Sequence, residues 1–149
     1  MATIVNGTNM IVQIDESTSP GAGGLTTIAA ATSCTCSITI DTGEITDKSS
    51  GDRKEFAGLS SSFTIDAEVF YNEDGAVDMQ TLFPAAYGDA NASQNGVVQY
   101  PRIVFVRFQG SSATYSGSGY ITSLSATGGT EDAGTYSVSI QGTGTLTQA

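Results

Sequence analysis

Residues 33–71 read SCTCSITIDTGEITDKSSGDRKEFAGLSSSFTIDAEVFY, and both ends of this stretch alternate between apolar and polar side chains. A period of two places successive side chains on opposite faces of a β-strand. Residues 34–41 and 62–70 are therefore predicted to be two strands of one sheet, each with a packed face and a wet face. The side chains predicted to lie on the packed faces are Cys34, Cys36, Ile38 and Ile40, and Phe63, Ile65, Ala67 and Val69.

The connection between these strands, residues 42–56, fits neither a strand nor a helix pattern. It holds Lys48, Arg53 and Lys54, three of the five cations in the chain. Hairpin loops usually have about two to five residues, so a connection of about fifteen needs an explanation. One interpretation is a floppy surface loop. The other is an arm that becomes ordered against a neighbouring molecule, which a basic cluster on an acidic protein favours.

The composition indicates a single all-β domain spanning residues 1–149. A chain of 149 residues is long enough to bury a core without disulfides or metals. Its 18 glycines and its charged content of only 13% suit strands better than helices. Residues 1–24 are predicted to be an N-terminal segment and loop. No apolar run approaches the roughly 18 residues that span a bilayer, and the first residues lack the pattern of a secretory signal.

Outside the central hairpin, one helix is predicted at residues 78–87, and alternation predicts several further strands. The glycines Gly142 and Gly144 interrupt the last strand and indicate a bulge, a bend or the close approach of another backbone. The residues of this strand predicted to face the core are Tyr136, Val138 and Ile140. The further predicted strands lie at residues 10–14, 25–31, 97–109, 113–125 and 135–147, with a shorter apolar stretch at residues 3–5.

The residue inventory offers little for catalysis. The sequence has no histidine, which excludes Ser-His-Asp and Cys-His nucleophile systems and histidine-ligated metal sites. Cys34 and Cys36 are two apart on one predicted strand face, which disfavours a disulfide and supplies too few ligands for zinc. We expect no enzymatic activity, no cofactor and no metal. The net charge of −10 also argues against a nucleic-acid-binding footprint, because phosphate contacts need clustered lysine and arginine.

The residues in and after the hairpin resemble a known family. The order 30–33 (AATS), an alternating strand, a charged arm and then 56–60 (FAGLS) resembles the tail tube, or major tail, proteins of long-tailed bacteriophages. The closing stretch 134–144, GTYSVSIQGTG, is similar to that family's last strand. The similarity covers about residues 25–149, although Ser61 and Ser62 replace the aromatic residue usual after the Ala-Gly-Leu run.

The resemblance implies a small antiparallel β-sandwich or open barrel with one flanking helix and a long hairpin arm. It also implies hexameric rings that stack into a hollow tube for genome delivery, with a continuous inner β-barrel built from the strands of all subunits. The implied location is the virion tail, after synthesis in the host cytoplasm and without membrane insertion. The implied partners are other copies of this chain, the tape measure protein and the tail terminator.

The arm and the polar side of the hairpin are the candidate functional residues under this resemblance. DNA is expected to pass through the tube without specific binding, because an acidic wall repels a duplex carrying about one negative charge per 1.7 Å. The arm is implied to bridge consecutive rings through Asp47, Lys48, Asp52, Arg53, Lys54 and Glu55. The predicted lumen-facing residues are Asp41, Ser62, Thr64, Asp66 and Glu68.

Two other functions remain open from the sequence. The first is a secreted or surface β-sandwich for adhesion or carbohydrate binding, which the missing signal sequence and an aromatic content of 8% count against. The second is the tube protein of a contractile injection device, close in fold and different in cargo. The favoured interpretation is a structural virion protein of the tail tube type.

Overall fold

The computed structural model describes residues 7, 10–15, 23–28, 31–71, 79–87, 103–110 and 112–149. Among these residues, seven strands form one antiparallel sheet, and one short helix accompanies it. The predicted fold class is therefore confirmed. The elements are β1 (Ile11–Asp15), β2 (Thr26–Thr27), β3 (Ala31–Glu44), β4 (Phe56–Phe70), α1 (Met79–Ala86), β5 (Ile103–Gln109), β6 (Thr114–Thr127) and β7 (Thr135–Gln148). The order of the strands in the sheet is β2-β1-β5-β6-β7-β4-β3.

The sheet curls so that its two ends approach each other. β1 and β3 stand near opposite ends of the strand order, yet the Cys34 Sγ in β3 donates a hydrogen bond to the carbonyl oxygen of Met10, just before β1, over 3.6 Å. Sheets of many strands coil in this way because each strand carries a right-handed twist. The result is an open barrel that encloses the core on one side of the sheet.

The core is built from the apolar side chains that alternate along the strands. Every inward residue predicted in β4 and β7 is at most 4% exposed, so these predictions are confirmed. Complete burial of one such side chain contributes roughly 1.5–3 kcal/mol. The buried apolar residues are Val12, Ile14, Ile28, Phe63, Ile65, Ala67, Val69, Leu82, Ala85, Val104, Val106, Ile121, Tyr136, Val138 and Ile140.

Glycines of two neighbouring strands form a slot for the ring of Phe63. A Cβ atom on Gly117 would come within 2.8 Å of the Phe63 Cζ, and one on Gly142 would lie still closer to the same ring. Gly144 has φ 76° and lies at a register shift between β6 and β7, which is the bulge that the sequence indicates. The partner that approaches Gly142 most closely is an aromatic side chain rather than a backbone.

The hairpin strands are longer than predicted, which corrects the predicted arm of residues 42–56. β3 continues to Glu44 and β4 begins at Phe56, and these two residues pair with each other. The added pairs follow a register shift at which Asp41 pairs with Ser60 and Thr42 with Gly58. Simple alternation does not reveal strand that continues beyond a bulge, because the bulge changes the phase of the pattern. The true connection is residues 45–55.

The remaining elements lie close to their predicted places. α1 falls inside the predicted window 78–87 and continues for two residues beyond Pro84. Of the predicted strand at 25–31, only the two residues of β2 and the first residue of β3 are strand among those described. The apolar stretch at residues 3–5 and the first part of the predicted strand at 97–109 lie outside the described residues.

Candidate functional site

All five residues predicted to face a lumen lie on one side of the sheet, opposite the core. Asp66 and Glu68 alternate with the buried residues of β4, and Thr64 and Ser62 continue the same row. Asp41 of β3 is on this side because it pairs directly with Ser60, and its carboxylate accepts a hydrogen bond from the Ser60 hydroxyl over 2.9 Å. The five residues therefore share one surface, and their position on a lumen stays a prediction.

The polar side extends over two more strands, β7 and β6, whose residues were not among those predicted to face a lumen. Asp66 pairs with Ser139 in β7, and the Ser139 hydroxyl donates a hydrogen bond to the Asp66 carboxylate. Glu68 pairs with Ser137, whose hydroxyl is 2.8 Å from that of Ser125 in β6. The signal was present in β7, because predicting Tyr136, Val138 and Ile140 to face inward places Ser137 and Ser139 on the other side.

We call this surface the polar face and define it as the side of β3, β4, β7 and β6 that points away from the core. Its acidic groups are Asp41, Asp66 and Glu68. The described hydrogen-bond partners of the Asp41 and Asp66 carboxylates are hydroxyl groups rather than cations. All three side chains are exposed, and none forms an ion pair within the described part of the chain. The other members are small hydroxyl and amide residues, including Ser33, Thr35, Ser37, Thr39, Ser60, Ser123, Ser125, Ser137, Ser139 and Gln141.

The connection 45–55 has a turn that is organised by one carboxylate. The Asp47 Oδ1 accepts hydrogen bonds from the backbone amides of Ser49 over 2.7 Å and of Ser50 over 3.2 Å, as well as from both hydroxyls. The side-chain and backbone hydrogen bonds from Ser49, with those from Ser50, lower the pKa of Asp47. Gly51 has φ 64°, the left-handed conformation that such a turn favours. The turn is thus formed within a single subunit.

All six residues predicted for the arm lie in this connection and are exposed. Lys54 forms an ion pair with Glu44 at 3.5 Å, with side chains 72% and 46% exposed. Such an exposed pair contributes only about 0–1 kcal/mol. Lys48 and Arg53 have no ion-pair partner within the described part of the chain, so their charge is available to another molecule.

The apolar side of the hairpin corrects the prediction that Ile38 and Ile40 are packed. Cys34 and Cys36 do pack against the core, but Ile38 is 58% exposed and Ile40 is 64% exposed. The physical reason is that β7 pairs with β4 only over residues 64–70, so the hairpin beyond this point projects past the core. We call Ile38 and Ile40 the apolar strip.

A groove lies between α1 and β6 on the same side of the sheet as the core. It encloses about 230 Å³, and Phe83 and Tyr87 form one wall with ring centroids 5.5 Å apart. Phe83 is 47% exposed and Tyr87 is 74% exposed. The sequence did not predict this groove, because it depends on how the helix is placed over the strand. The described residues that line it are Phe83, Ala86, Tyr87, Ile121, Thr122, Ser123 and Leu124.

The thiols and acids of the described residues form no group suited to metal binding. No cluster of three or more histidine, cysteine, aspartate or glutamate side chains occurs among them. Cys34 and Cys36 are free, and burial raises the pKa of both thiols. A raised pKa keeps a thiol protonated and weakly nucleophilic. In the portion of the chain described, no helix is long and apolar enough to cross a membrane.

Comparison with known proteins identifies a family. A sequence model described as phage tail tube protein matches residues 4–148, nearly the whole chain. A search of curated protein sequences gives no match.

Solved structures share the fold over almost the full length of this chain. The chain is similar to a protein in the tail of an empty gene transfer agent particle with C6 symmetry, with a TM-score of 0.73 and 20% identity over 97% of this chain and 98% of that one. It is also similar to the SPP1 tail tube, with a TM-score of 0.64 and 14% identity over 97% of this chain and 78% of that one. The chain is similar as well to a protein in the sheath-tube complex of an extracellular contractile injection system. The TM-score is 0.59, with 15% identity over 98% of this chain and 91% of that one.

Proposed function

The chain belongs to the phage tail tube protein family and is a structural subunit of the virion tail, and we propose that it forms hexameric rings stacked into a hollow conduit for DNA. The sixfold ring is supported by the C6 symmetry of the gene transfer agent tail, whose subunit has the same fold. Residues 1–149 act as one tube-building domain in this proposal. The role needs no catalytic residue, cofactor or metal.

The observation that carries the proposal is the polar face. It is four strands wide, and six copies side by side supply 24 strands. At about 4.8 Å per strand this gives a circumference of about 115 Å before strand tilt widens it, and barrels of 16–18 strands already enclose an aqueous channel. An inward polar face would line that channel with hydroxyls and carboxylates that repel the DNA backbone.

The arrangement of the strands supports closure of such a barrel. β3 is the last strand of the sheet and is 14 residues long, so one edge of a long strand lacks a partner among the described strands. On the other side of the polar face, the described part of β5 pairs with β6 only as far as Tyr120, which leaves residues 121–127 with β7 alone. Since β3, β4, β7 and β6 alternate in direction, β3 of one copy would meet β6 of the next antiparallel.

The connection 45–55 is proposed to contact the next ring, and we refer to it as the arm. Its contact residues are those named from the sequence, with the exposed cations Lys48 and Arg53 facing acidic groups of a subunit in the neighbouring ring. Rings stacked through identical contacts repeat each weak ion pair at every subunit, so small contributions sum. The further partners of this role are the tape measure protein and the tail terminator.

The two other functions considered above are not favoured by the family match. An adhesion or carbohydrate-binding module and the tube of a contractile device would both share a β-rich fold, but the matching family is the phage tail tube.

Negative-stain electron microscopy of the purified protein tests the proposal. We expect sixfold rings or tubes with a central channel, formed without nucleic acid or cofactor. Protein that stays monomeric at every concentration and binds glycans on an array would refute the conduit function. Rings of another symmetry would refute the hexamer alone.

A further inference from the structure

The apolar strip and the groove belong to the same molecule, and each is exposed in a single copy. We infer that the groove between α1 and β6 of one subunit receives Ile38 and Ile40 from β3 of the adjacent subunit in the ring. This inference rests on the proposed ring and identifies the partner of the groove as a second copy of this chain. It also assigns α1 a role in holding neighbouring subunits together.

The chemistry of the two surfaces matches. Among the described residues, no charged side chain lines the groove, and its floor and walls are mainly apolar through Phe83, Ala86, Tyr87 and Leu124. The strip consists of two aliphatic side chains on a strand whose intervening residues are polar. A cavity of about 150 Å³ lined by apolar residues already holds a benzene molecule, so about 230 Å³ is enough for aliphatic side chains to enter.

The strand registers put both surfaces on the same side of a shared sheet. Ile38 pairs with the buried Phe63, which places the strip on the core side of β3. Leu124 pairs with the buried Val138, which places the floor of the groove on the core side of β6. If β3 of one copy continues the sheet next to β6 of another, their core sides become neighbours, and opposed side chains lie about 4.5–5.5 Å apart at Cβ.

The position of the groove along β6 fits the same contact. Its residues Ile121 and Leu124 lie in the stretch 121–127, where β7 is the only partner among the described strands. The edge that would accept the neighbouring β3 and the groove that would accept its apolar side chains therefore coincide. Because the strip and the groove are different surfaces of one chain, the contact is heterologous, and repetition of a heterologous contact closes a ring when the rotation permits.

Disulfide cross-linking tests the contact directly. In a background carrying Cys34→Ser and Cys36→Ser, Ile40→Cys would be combined with Leu124→Cys and the assembled protein oxidised. We expect a ladder of cross-linked species up to the hexamer on a denaturing gel. The matched control replaces Ile40→Cys with Thr39→Cys, which lies one residue away on the polar face and should give no ladder. A second pair of variants combines Ile38→Cys, in place of Ile40→Cys, with Leu124→Cys. It tests whether β3 lies two residues further along β6 of the neighbouring subunit.

The outcomes separate the inference from the function. Rings that form without a ladder in either set, or that give the same ladder with Thr39→Cys, would refute the strip-in-groove contact and leave the tube function intact. Complete failure of the wild-type protein to form rings would refute both. If Ile40→Cys cross-links instead to a cysteine introduced at position 4 or 5 of its own chain, the strip is covered by the N-terminal segment and the inference is wrong.

Replacing the apolar strip with polar residues gives an independent measure of its contribution to ring assembly. The variant Ile38→Ser with Ile40→Ser should fold with an unchanged urea midpoint, because both side chains are already exposed in the subunit. The concentration needed for half-assembly should rise by about tenfold or more, since the ring loses apolar burial at every contact. Assembly at the wild-type concentration would overturn the inference.

Discussion

At the scale of single residues, Phe63 connects the projecting hairpin to the rest of the sheet. Its ring is 4% exposed and lies against glycine positions in β6 and β7. A side chain at either position would occupy space that the ring now fills. The stability of the hairpin base therefore depends on the absence of two Cβ atoms as much as on the presence of the ring.

We predict that Gly142→Ala destabilises the subunit by about 1–3 kcal/mol, because the added methyl group forces Phe63 out of its slot. Urea unfolding measures this as a lower midpoint. The matched control is Gly58→Ala, also in a strand, where an added Cβ meets nothing within 4 Å and φ is not positive. Replacing the ring in the double variant Phe63→Leu, Gly142→Ala should recover part of the loss. Equal midpoints for the two glycine variants would contradict the slot.

The two thiols provide a second prediction at this scale. Burial raises the pKa of Cys34 and Cys36, so the folded subunit should react more slowly with iodoacetamide than the urea-unfolded chain. The rate falls roughly tenfold for each unit by which the pKa is raised. The associated stability is present below the ordinary thiol pKa and is lost as pH rises through the raised values. The control is Ser37→Cys in the Cys34→Ser, Cys36→Ser background. If the partly buried Cys34 and Cys36 reacted as fast in the folded subunit as the exposed Ser37→Cys variant, the raised pKa of the two thiols would be contradicted.

At the scale of elements, the turn in the arm is held by Asp47. Hydrogen bonds from Ser49 and Ser50 lower the pKa of this carboxylate, so the turn is stabilised above the ordinary aspartate pKa and loses that stability as pH falls through the lowered value. We predict that the amide signal of Ser49 in NMR shifts in this acidic range while signals from β7 stay constant. The variant Asp47→Asn should abolish the titration. A shift of Ser49 that persists in Asp47→Asn would show that another group controls the turn.

The whole arm provides a separate prediction about assembly. Replacing residues 45–55 with a two-residue Asn-Gly turn joins Glu44 to Phe56, which already pair. Folding should change little, because each halving of loop length alters the closure entropy by only about 0.6 kcal/mol. Rings should still form and stacking into tubes should fail in electron micrographs. Normal tubes from the shortened chain would reject the inter-ring role.

A charge-reversal variant is the control for that deletion. Lys48→Glu, Arg53→Glu and Lys54→Glu keep the length of the arm and change only its charge, so tubes should shorten in a salt-dependent manner. Loss of stacking that is the same at low and high salt would point to the shape of the arm rather than its charge.

The sequence predicted the strands and the helix well, but it did not predict which apolar side chains stay exposed or where a groove forms. Alternation located β4 and β7 because each strand has one buried face, and it placed Asp66 and Glu68 on the side away from the core. It assigned Ile38 and Ile40 to the core because a local pattern cannot reveal that the pairing of β7 with β4 stops at Thr64. It missed the groove because the packing of α1 on β6 joins residues about forty positions apart in sequence.

At the scale of the whole molecule, the two sides of the sheet differ in burial and in chemistry. One side of the sheet carries the buried apolar residues that stabilise a subunit, and the other carries exposed carboxylates and hydroxyl groups. Because the carboxylates of the polar face are exposed, we expect substitutions there to leave the subunit folded. This separation allows a direct test of what the face does in an assembled tube.

We predict that Asp66→Lys with Glu68→Lys leaves the subunit folded and makes the tube retain DNA. Both side chains are exposed. The two substitutions change the charge of each subunit by +4, and lysines in place of carboxylates can bind the phosphates of DNA. Filter binding should show retention that falls steeply as salt rises, because phosphate contacts release counterions. The matched control is Glu131→Lys with Asp132→Lys, which makes the same change of charge in the exposed turn between β6 and β7. Equal retention by both variants would mean that net charge, and not the polar face, determines DNA binding.

Accessibility decides which side of the wall carries these acids. In the Cys34→Ser, Cys36→Ser background, Asp66→Cys and Glu68→Cys would each be treated with a bulky maleimide, once as free subunits and once as tubes blocked at both ends. A residue on the inner wall is reached only through the tube ends, so its labelling should slow strongly on assembly, whereas Glu131→Cys on the exposed turn should be slowed less. Both positions are exposed in the free subunit, so slower labelling in tubes would result from assembly and not from shielding within one subunit. Labelling at 66 and 68 that is as fast in blocked tubes as in free subunits would place the polar face outside the channel.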